Sequence, residues 1–109
     1  MAIELPEPVS GYFSADRNAD TDAVIRQFAA DAVVIDEGRT HVGHDAIRSW
    51  MVNSAAQYSY VVEPFDVTTE AGLTVVTAHL EGNFPGSPVD LRYRFGLDGD
   101  RIASLEIGA

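Results

Sequence analysis

The spacing of apolar residues changes near residue 58, and the two parts of the chain predict different secondary structure. Before that point, apolar residues recur at intervals of three and four, which places them on one face of a helix. After it, β-branched residues and a period of two become dominant, a pattern typical of strands. Helices followed by consecutive strands predict an α+β fold with a mostly antiparallel sheet.

The first part predicts three helices and one buried strand. A helix is expected over residues 9–17, and Asp20 or Thr21 can cap a second one. The apolar stripe of that second helix would consist of Val24, Ile25, Phe28 and Ala29. A strand over 32–36, a turn, a short extended piece over 40–42 and a third helix over 44–57 complete this part.

The second part predicts four strands joined by tight turns. We expect them over about 59–68, 73–82, 89–97 and 101–107, with Pro64 at a bulge or a sheet edge. In the segment 73–80 neither set of alternate positions is purely polar, although a sheet with one face in water alternates more cleanly. We therefore expect helices on one face and a second subunit of a homodimer on the other.

Composition limits the classes of function. With 109 residues, 46% of them hydrophobic, the chain predicts one domain spanning 1–109. A net charge of -10 argues against a nucleic-acid or acidic-membrane binder. No apolar run approaches a membrane span and no secretory pattern begins the sequence, so a cytoplasmic location is expected.

Several kinds of chemistry are excluded by residue type. The absence of cysteine excludes disulfides and zinc–thiolate sites, and the absence of lysine excludes Schiff-base catalysis. His41 and His44 are three residues apart, but no nearby residues supply further ligands, so we predict no metal site. Since no Gly-rich phosphate loop or nucleophile elbow is present, we expect no cofactor.

Asp36 is the principal candidate for chemistry. It ends the predicted buried strand, where an acid is costly to place, and this position suggests a pocket and a proton-transfer group. The alternative is a strand-end acid that faces water or pairs with Arg39. Arg39 could also bind an anionic ligand.

Four segments carry a resemblance to a known family: 20–24 (DTDAV), 28–34 (FAADAVV), 43–50 (GHDAIRSW) and 98–102 (DGDRI). With the order of elements, they resemble the nuclear-transport-factor-2-like superfamily, in particular its SnoaL-like polyketide cyclases and ketosteroid isomerases. The resemblance implies a curved sheet wrapped around the helices as a cone with an internal pocket. It also implies dimers through the outer face of the sheet.

The resemblance also implies roles for individual residues. Asp36 falls on the general base of ketosteroid isomerases, and Tyr12 falls on their oxyanion-binding tyrosine, a pair suited to enolisation. Tyr12 could instead be a core residue. The second oxyanion donor has no clear match, because Asp90 and Arg92 are out of phase with the inward positions of their strand. In related cyclases an Asp–His pair can carry the acid/base work, so His79 either faces the pocket as a partner of Asp36 or lies at the outer interface.

Three functions follow as alternatives. The first is a cofactor-independent isomerase or cyclase that transfers a proton on a small apolar carbonyl compound. Its pocket walls would be Phe13, Phe28, Trp50, Tyr93 and Phe95. The second is a non-catalytic domain that binds an apolar ligand in the same cone. The third is a dimeric interaction module without a small ligand.

Overall fold

The computed structural model describes residues 4–108, apart from the side chain of Ala55. Over this range, the chain forms three helices and six strands in the predicted α+β order. Their bounds are α1 Glu7–Arg17, α2 Thr21–Arg26, β1 Phe28–Asp36, β2 Arg39–Val42, α3 Gly43–Gln57, β3 Tyr60–Glu70, β4 Leu73–Gly82, β5 Val89–Asp98 and β6 Arg101–Gly108.

The six strands form one curved sheet on which the helices pack. The strand order is β2-β1-β6-β5-β4-β3, and every neighbouring pair is antiparallel except β1 and β6. The register of β3 shifts between Pro64 and Asp66, which confirms the predicted irregularity at this proline. β3 is an edge strand and hydrogen-bonds to only one neighbouring strand, so a proline, which has no N–H, is tolerated there.

The second helix is shorter than predicted, and the placement of Phe28 and Ala29 on it was wrong. Asp20 caps the helix by accepting a hydrogen bond from the N–H of Ala23 at 3.1 Å, but the helix ends at Arg26. The Ile102 N–H donates to the Gln27 carbonyl at 2.7 Å, and this bond draws the following residue into the sheet. Phe28 begins β1 opposite Ile102 and is buried all the same.

The core lies between the helices and the inner face of the sheet. Along β4, the even positions Val76, Ala78 and Leu80 are buried against it, and β5 contributes Tyr93 and Phe95. Both sets of alternate positions in β4 include apolar residues, but only the even positions of β4 face the core. Its odd positions form the outer face, where Val75 is nevertheless only 3% exposed.

Two hairpins turn through left-handed backbone conformations at both central positions. Glu37 and Gly38 have φ of 54° and 74°, and Ala71 and Gly72 have φ of 52° and 80°. Two-residue turns of this kind match the twist of the flanking strands. For a residue with a Cβ atom the conformation costs about 1–2 kcal/mol. The first of these turns sets Asp36 opposite Arg39 at the end of β1.

Candidate functional site

Asp36 is held in place by the only tryptophan of the chain. The Trp50 Nε1–H donates to Asp36 Oδ2 at 3.0 Å across the contact between β1 and α3. Both side chains are partly buried, and a hydrogen bond to an ionised carboxylate is stronger than a neutral one. Among residues 4–108 no group lies within hydrogen-bond distance of Asp36 Oδ1, so that oxygen is available to a ligand.

A concavity of about 510 Å³ opens beside this pair. It lies between the β1–β2 hairpin and the C-terminal half of α3, and it is open to solvent on one side. We call it the Asp36 pocket. Its lining is predominantly polar and consists of Asp36, Glu37, Arg39, His41, Trp50, Asn53, Ser54, Ala56 and Gln57.

Strand pairing and helical spacing explain why these residues meet. In the hairpin, Arg39 pairs with Asp36 and His41 pairs with the fully buried Val34, so all four point to the same face of the sheet. On α3, residues 50, 53, 54 and 57 follow the spacing of one helical face. The His41 and Trp50 ring centroids are 6.1 Å apart, which joins the two elements across the pocket.

Asp36 and Arg39 are neighbours in register but do not form an ion pair within the described part of the chain. The carboxylate bonds to Trp50 instead, and the exposed Arg39 lines the same pocket. The pocket therefore presents a carboxylate and a guanidinium separately, as sites for different parts of a ligand.

Tyr12 lies in the aromatic core. Its ring centroid is 5.1 Å from Phe13, 5.9 Å from Phe28, 6.4 Å from Tyr93 and 5.6 Å from Phe95. Only 4% of the residue is exposed, and burial raises the pKa of its phenol well above the ordinary value. The group is therefore neutral at physiological pH and can act only as an uncharged donor or acceptor.

Tyr12, Tyr60 and Tyr93 form a group of phenols within electrostatic range of two acids. Burial is the main cause of the raised pKa of each phenol, and the charges of Asp16 and Asp36 raise all three further. For Tyr60 the pKa reaches about 12, and Glu37 also contributes. The charge of Asp36 thus acts on Tyr12, although the phenol does not line the Asp36 pocket.

The residues expected to contact a ligand lie in two different places. Trp50 and Arg39 line the Asp36 pocket. The other four are packed in the core, and one of them, Phe13, also borders a smaller recess of about 110 Å³. The four are Phe13, Phe28, Tyr93 and Phe95.

The structure does not bring His79 to Asp36. Since its neighbours Ala78 and Leu80 point into the core, His79 lies on the outer face of the sheet, partly exposed. Its Nδ1 is 2.8 Å from Asp90 Oδ1 and its Nε2 is 3.5 Å from Glu81 Oε1. Hydrogen bonding to Asp90, and then to Glu81, raises the pKa of the imidazole.

Three residues that line the pocket were not predicted as site residues: His41, Asn53 and Gln57. In the structure the turn occupies only residues 37 and 38, so His41 shares a face with Asp36. The extended piece was predicted to begin at residue 40, and this register was therefore not predicted. The positions 50, 53 and 57 already showed helical spacing, but on a polar face. His44 does begin α3, and its Nε2 lies 2.9 Å from the Phe28 carbonyl oxygen.

Two further findings concern classes of site. In the described residues 4–108, no three His, Asp or Glu side chains are grouped so that they could hold a metal ion. Over the same range, every helix is too short or too polar to cross a membrane. The cytoplasmic location stays a prediction from sequence.

Comparison with known proteins confirms the resemblance inferred from sequence. Residues 9–104 match the family model of the SnoaL-like domain. A protein from Sinorhizobium meliloti, provisionally described as a polyketide cyclase, has 48% sequence identity and a TM-score of 0.90, with 94% of each chain covered. No curated protein matches the chain.

Two more distant structures show the same fold. A protein with a ketosteroid isomerase-like fold from Catenulispora acidiphila, in complex with trimethylamine, has 21% identity and a TM-score of 0.83 over 97% of this chain and 87% of its own. The epoxide hydrolase/cyclase-like enzyme SalBIII, which has a role in pyran ring formation in salinomycin, has 21% identity and a TM-score of 0.78, covering 94% of this chain and 87% of its own.

Proposed function

The chain belongs to the SnoaL-like family, and from this premise we propose that it is a cofactor-independent acid/base enzyme acting on a small carbonyl compound. The compound binds in the Asp36 pocket as an isomerase or cyclase substrate, and residues 1–109 act as one domain. Asp36 is the general base. Arg39, which lines the same pocket, stabilises the oxygen on which negative charge develops, whereas Tyr12, the residue expected in that role, is packed in the core and does not line the pocket.

The observation that carries this proposal is the state of the Asp36 carboxylate. Oδ2 is fixed by Trp50 at 3.0 Å, while Oδ1 has no partner among the described residues and borders an open pocket. A base fixed in orientation, with one oxygen available, suits the removal of a proton from a bound carbon acid.

The proposed step conserves all atoms. Asp36 Oδ1 takes a proton from the carbon next to the carbonyl, and the electron pair of the C–H bond moves to the carbonyl oxygen as the enolate forms. The Arg39 guanidinium stabilises this oxygen by a charge-assisted hydrogen bond that strengthens as charge develops. Return of the same proton to another carbon completes an isomerisation. In a cyclisation, the enolate carbon instead attacks a second carbonyl, and the alkoxide that forms takes the proton from Asp36.

The test uses 5-nitrobenzisoxazole, a neutral carbon acid whose ring opens to a coloured phenolate when a base removes its proton. We expect Asp36→Asn to lower the turnover of this probe by about 10²–10⁴-fold, the contribution of a positioned general base. The substitution retains an oxygen that can accept the Trp50 hydrogen bond, so the fold is preserved.

Glu37→Gln is the matched control, because it removes a neighbouring acid that lines the same pocket. The control is expected to keep most of the turnover. Wild-type turnover no faster than that of Asp36→Asn, or an equal loss in Glu37→Gln, would contradict the assignment of Asp36.

The second candidate function is ligand binding without turnover. It is favoured by the filled aromatic core, because the buried residues Phe28 and Phe95 occupy the interior in which an apolar substrate was expected. In that case a small carbonyl compound would perturb Trp50 while the probe remained unreacted.

We also propose that the chain forms a homodimer through the outer face of the sheet. The support is exposed apolar surface on the edge strand β3, where Val61, which pairs with Glu81 on the outer face, is 62% exposed and Phe65 is 51% exposed. Light scattering at micromolar concentration should give twice the chain mass of 11.8 kDa. A monomeric mass would contradict the dimer and leave the assignment of Asp36 untouched.

A further inference from the structure

His79 lies among acids on the outer face of the sheet, away from the Asp36 pocket. Its Nδ1 is 2.8 Å from Asp90 Oδ1 on β5, and its Nε2 is 3.5 Å from Glu81 Oε1 on β4. On the other side, Glu63 of β3 is its direct partner in the strand register, so the two side chains share the outer face. We call these four residues the His79 patch. It surrounds one group that can gain a positive charge with three carboxylates.

The charged groups that face His79 come from three strands. They are Glu63 and Asp66 from β3, Glu81 from β4 itself, and Asp90 and Arg92 from β5. Arg92 is the one cation in this set, and it forms no ion pair within residues 4–108. While the imidazole is neutral, four carboxylates therefore face one guanidinium, and protonation of His79 adds a second positive charge.

The His79 patch adjoins the apolar surface through which we propose that the homodimer forms. Val61, which is 62% exposed, pairs with Glu81 on the same outer face. Phe65, which is 51% exposed, follows Glu63 by two positions on the edge strand. Directly opposed side chains on neighbouring strands are only about 5 Å apart. A second copy of the chain that covers Val61 therefore also covers the His79 patch.

The negative charge of the patch opposes dimerisation. Carboxylates that leave water without a counter-charge are destabilised, and the negative charges of two like faces repel each other. In a symmetric dimer each subunit brings its own patch to the interface, so the effect occurs twice. Protonation of His79 places a positive charge 2.8 Å from Asp90 and reduces both the desolvation cost and the repulsion. This holds for any rotation of one sheet against the other, because each patch carries excess negative charge.

We propose that His79 is a pH switch of the homodimer, which is tight when His79 is protonated and loosens as the imidazole loses its proton. The inference rests on the proposed homodimer and is independent of the role of Asp36. Hydrogen bonding to Asp90, and then to Glu81, raises the pKa of the imidazole above its ordinary value of 6.5, which brings the transition toward neutral pH.

Sedimentation equilibrium of the full chain measures the dissociation constant of the dimer. Between about pH 8.5 and about pH 5.5, on the two sides of an ordinary histidine titration, the constant of the wild type should fall by about tenfold or more. The sign follows from linkage, because the dimer binds more protons than two separate monomers do. A dissociation constant that rises on acidification would overturn the proposal.

Substitutions at position 79 separate the imidazole charge from other effects of pH. His79→Gln stays neutral, so its dissociation constant should change by less than about twofold over the same range. His79→Arg is positive throughout and should dimerise tightly at both pH values. His41→Gln is the matched control, because it removes an imidazole from the opposite face of the sheet and should keep the wild-type response. A full wild-type response in His79→Gln would overturn the proposal.

The reciprocal measurement follows the imidazole itself. Since protonation favours the dimer, dimerisation must raise the pH at which His79 titrates. In NMR spectra of protein labelled with ¹⁵N in its histidines, the midpoint for His79 should move to higher pH as protein concentration increases, whereas the midpoint for His41 should not. A His79 midpoint that stays constant while the dimer forms would also overturn the switch.

The remaining outcomes separate the switch from the homodimer on which it rests. A monomer at every pH and concentration tested would overturn both and leave the assignment of Asp36 untouched. A dimer whose dissociation constant does not depend on pH would overturn the switch alone.

Discussion

The aromatic core and the Asp36 pocket both contain aromatic rings, but the rings have different roles in the two places. In the core, Tyr12 and Phe95 are packed edge to face at 5.6 Å and are almost inaccessible. In the pocket, Trp50 is only partly buried and its N–H bonds to Asp36. The contrast indicates that aromatic rings in the interior hold the helices on the sheet, whereas the ring at the rim orients a carboxylate.

The largest effect is expected when a buried aromatic side chain of the core is truncated. Phe95→Ala should lower the free energy of unfolding by about 3–5 kcal/mol, because Phe95 is fully buried among other rings. Phe65→Ala, at a position that is 51% exposed, is the control and should cost far less. Urea unfolding measures both, and equal losses would contradict the view that the interior is a packed core.

The next largest effect is expected at the rim of the Asp36 pocket, on the turnover of the nitrobenzisoxazole probe. Trp50→Phe keeps an aromatic ring but removes the N–H that fixes Asp36, so probe turnover should fall by about tenfold or more. Tyr58→Phe removes a polar group from an aromatic residue outside the pocket and should leave turnover unchanged. Turnover that survives Trp50→Phe would show that the hydrogen bond does not position the base.

The hairpin beside Asp36 can be compared with its counterpart far from the pocket. Glu37→Asn and Ala71→Asn should each stabilise the protein by roughly 0.5–1 kcal/mol, because asparagine tolerates the left-handed conformation at the first position of such turns. Thermal unfolding measures the gain. A loss of stability at either turn would contradict the conformational argument.

The smallest expected effect is a pH dependence of stability due to Asp16. Because burial raises its pKa in the folded state, the group favours folding below the ordinary Asp pKa, and this contribution is lost as pH rises through the folded value. Asp16→Asn should therefore unfold at a higher temperature than wild type near neutral pH and at the same temperature in acid. A difference in unfolding temperature that is the same at every pH would contradict the predicted contribution of Asp16.

Most of the fold could be predicted from sequence, because periodicity reports directly on which face of an element is buried. The strands after residue 58 and the irregularity at Pro64 follow from that pattern. The boundary at Phe28 could not be predicted, since a buried aromatic fits a helix stripe equally well and the deciding bond comes from Ile102, 74 positions later.

The site was harder to predict because it depends on directions and distances between elements. Asp36 was identified from its position at a strand end, and Trp50 was expected at the pocket wall. That the indole N–H would reach the carboxylate depends on how α3 packs on β1, which no local pattern specifies. For the same reason, the sequence could not show that Tyr93 and Phe95 fill the interior that they were expected to line.

The most direct test of the central claim follows the single indole N–H resonance of the chain. As the one tryptophan, Trp50 gives one indole signal, and its Nε1–H donates a hydrogen bond to Asp36. We expect this resonance to shift when a small carbonyl compound is added to the wild-type protein, and to shift much less when the same compound is added to Asp36→Asn. A resonance that does not respond to such compounds in the wild type would contradict the assignment of Asp36 as an accessible base.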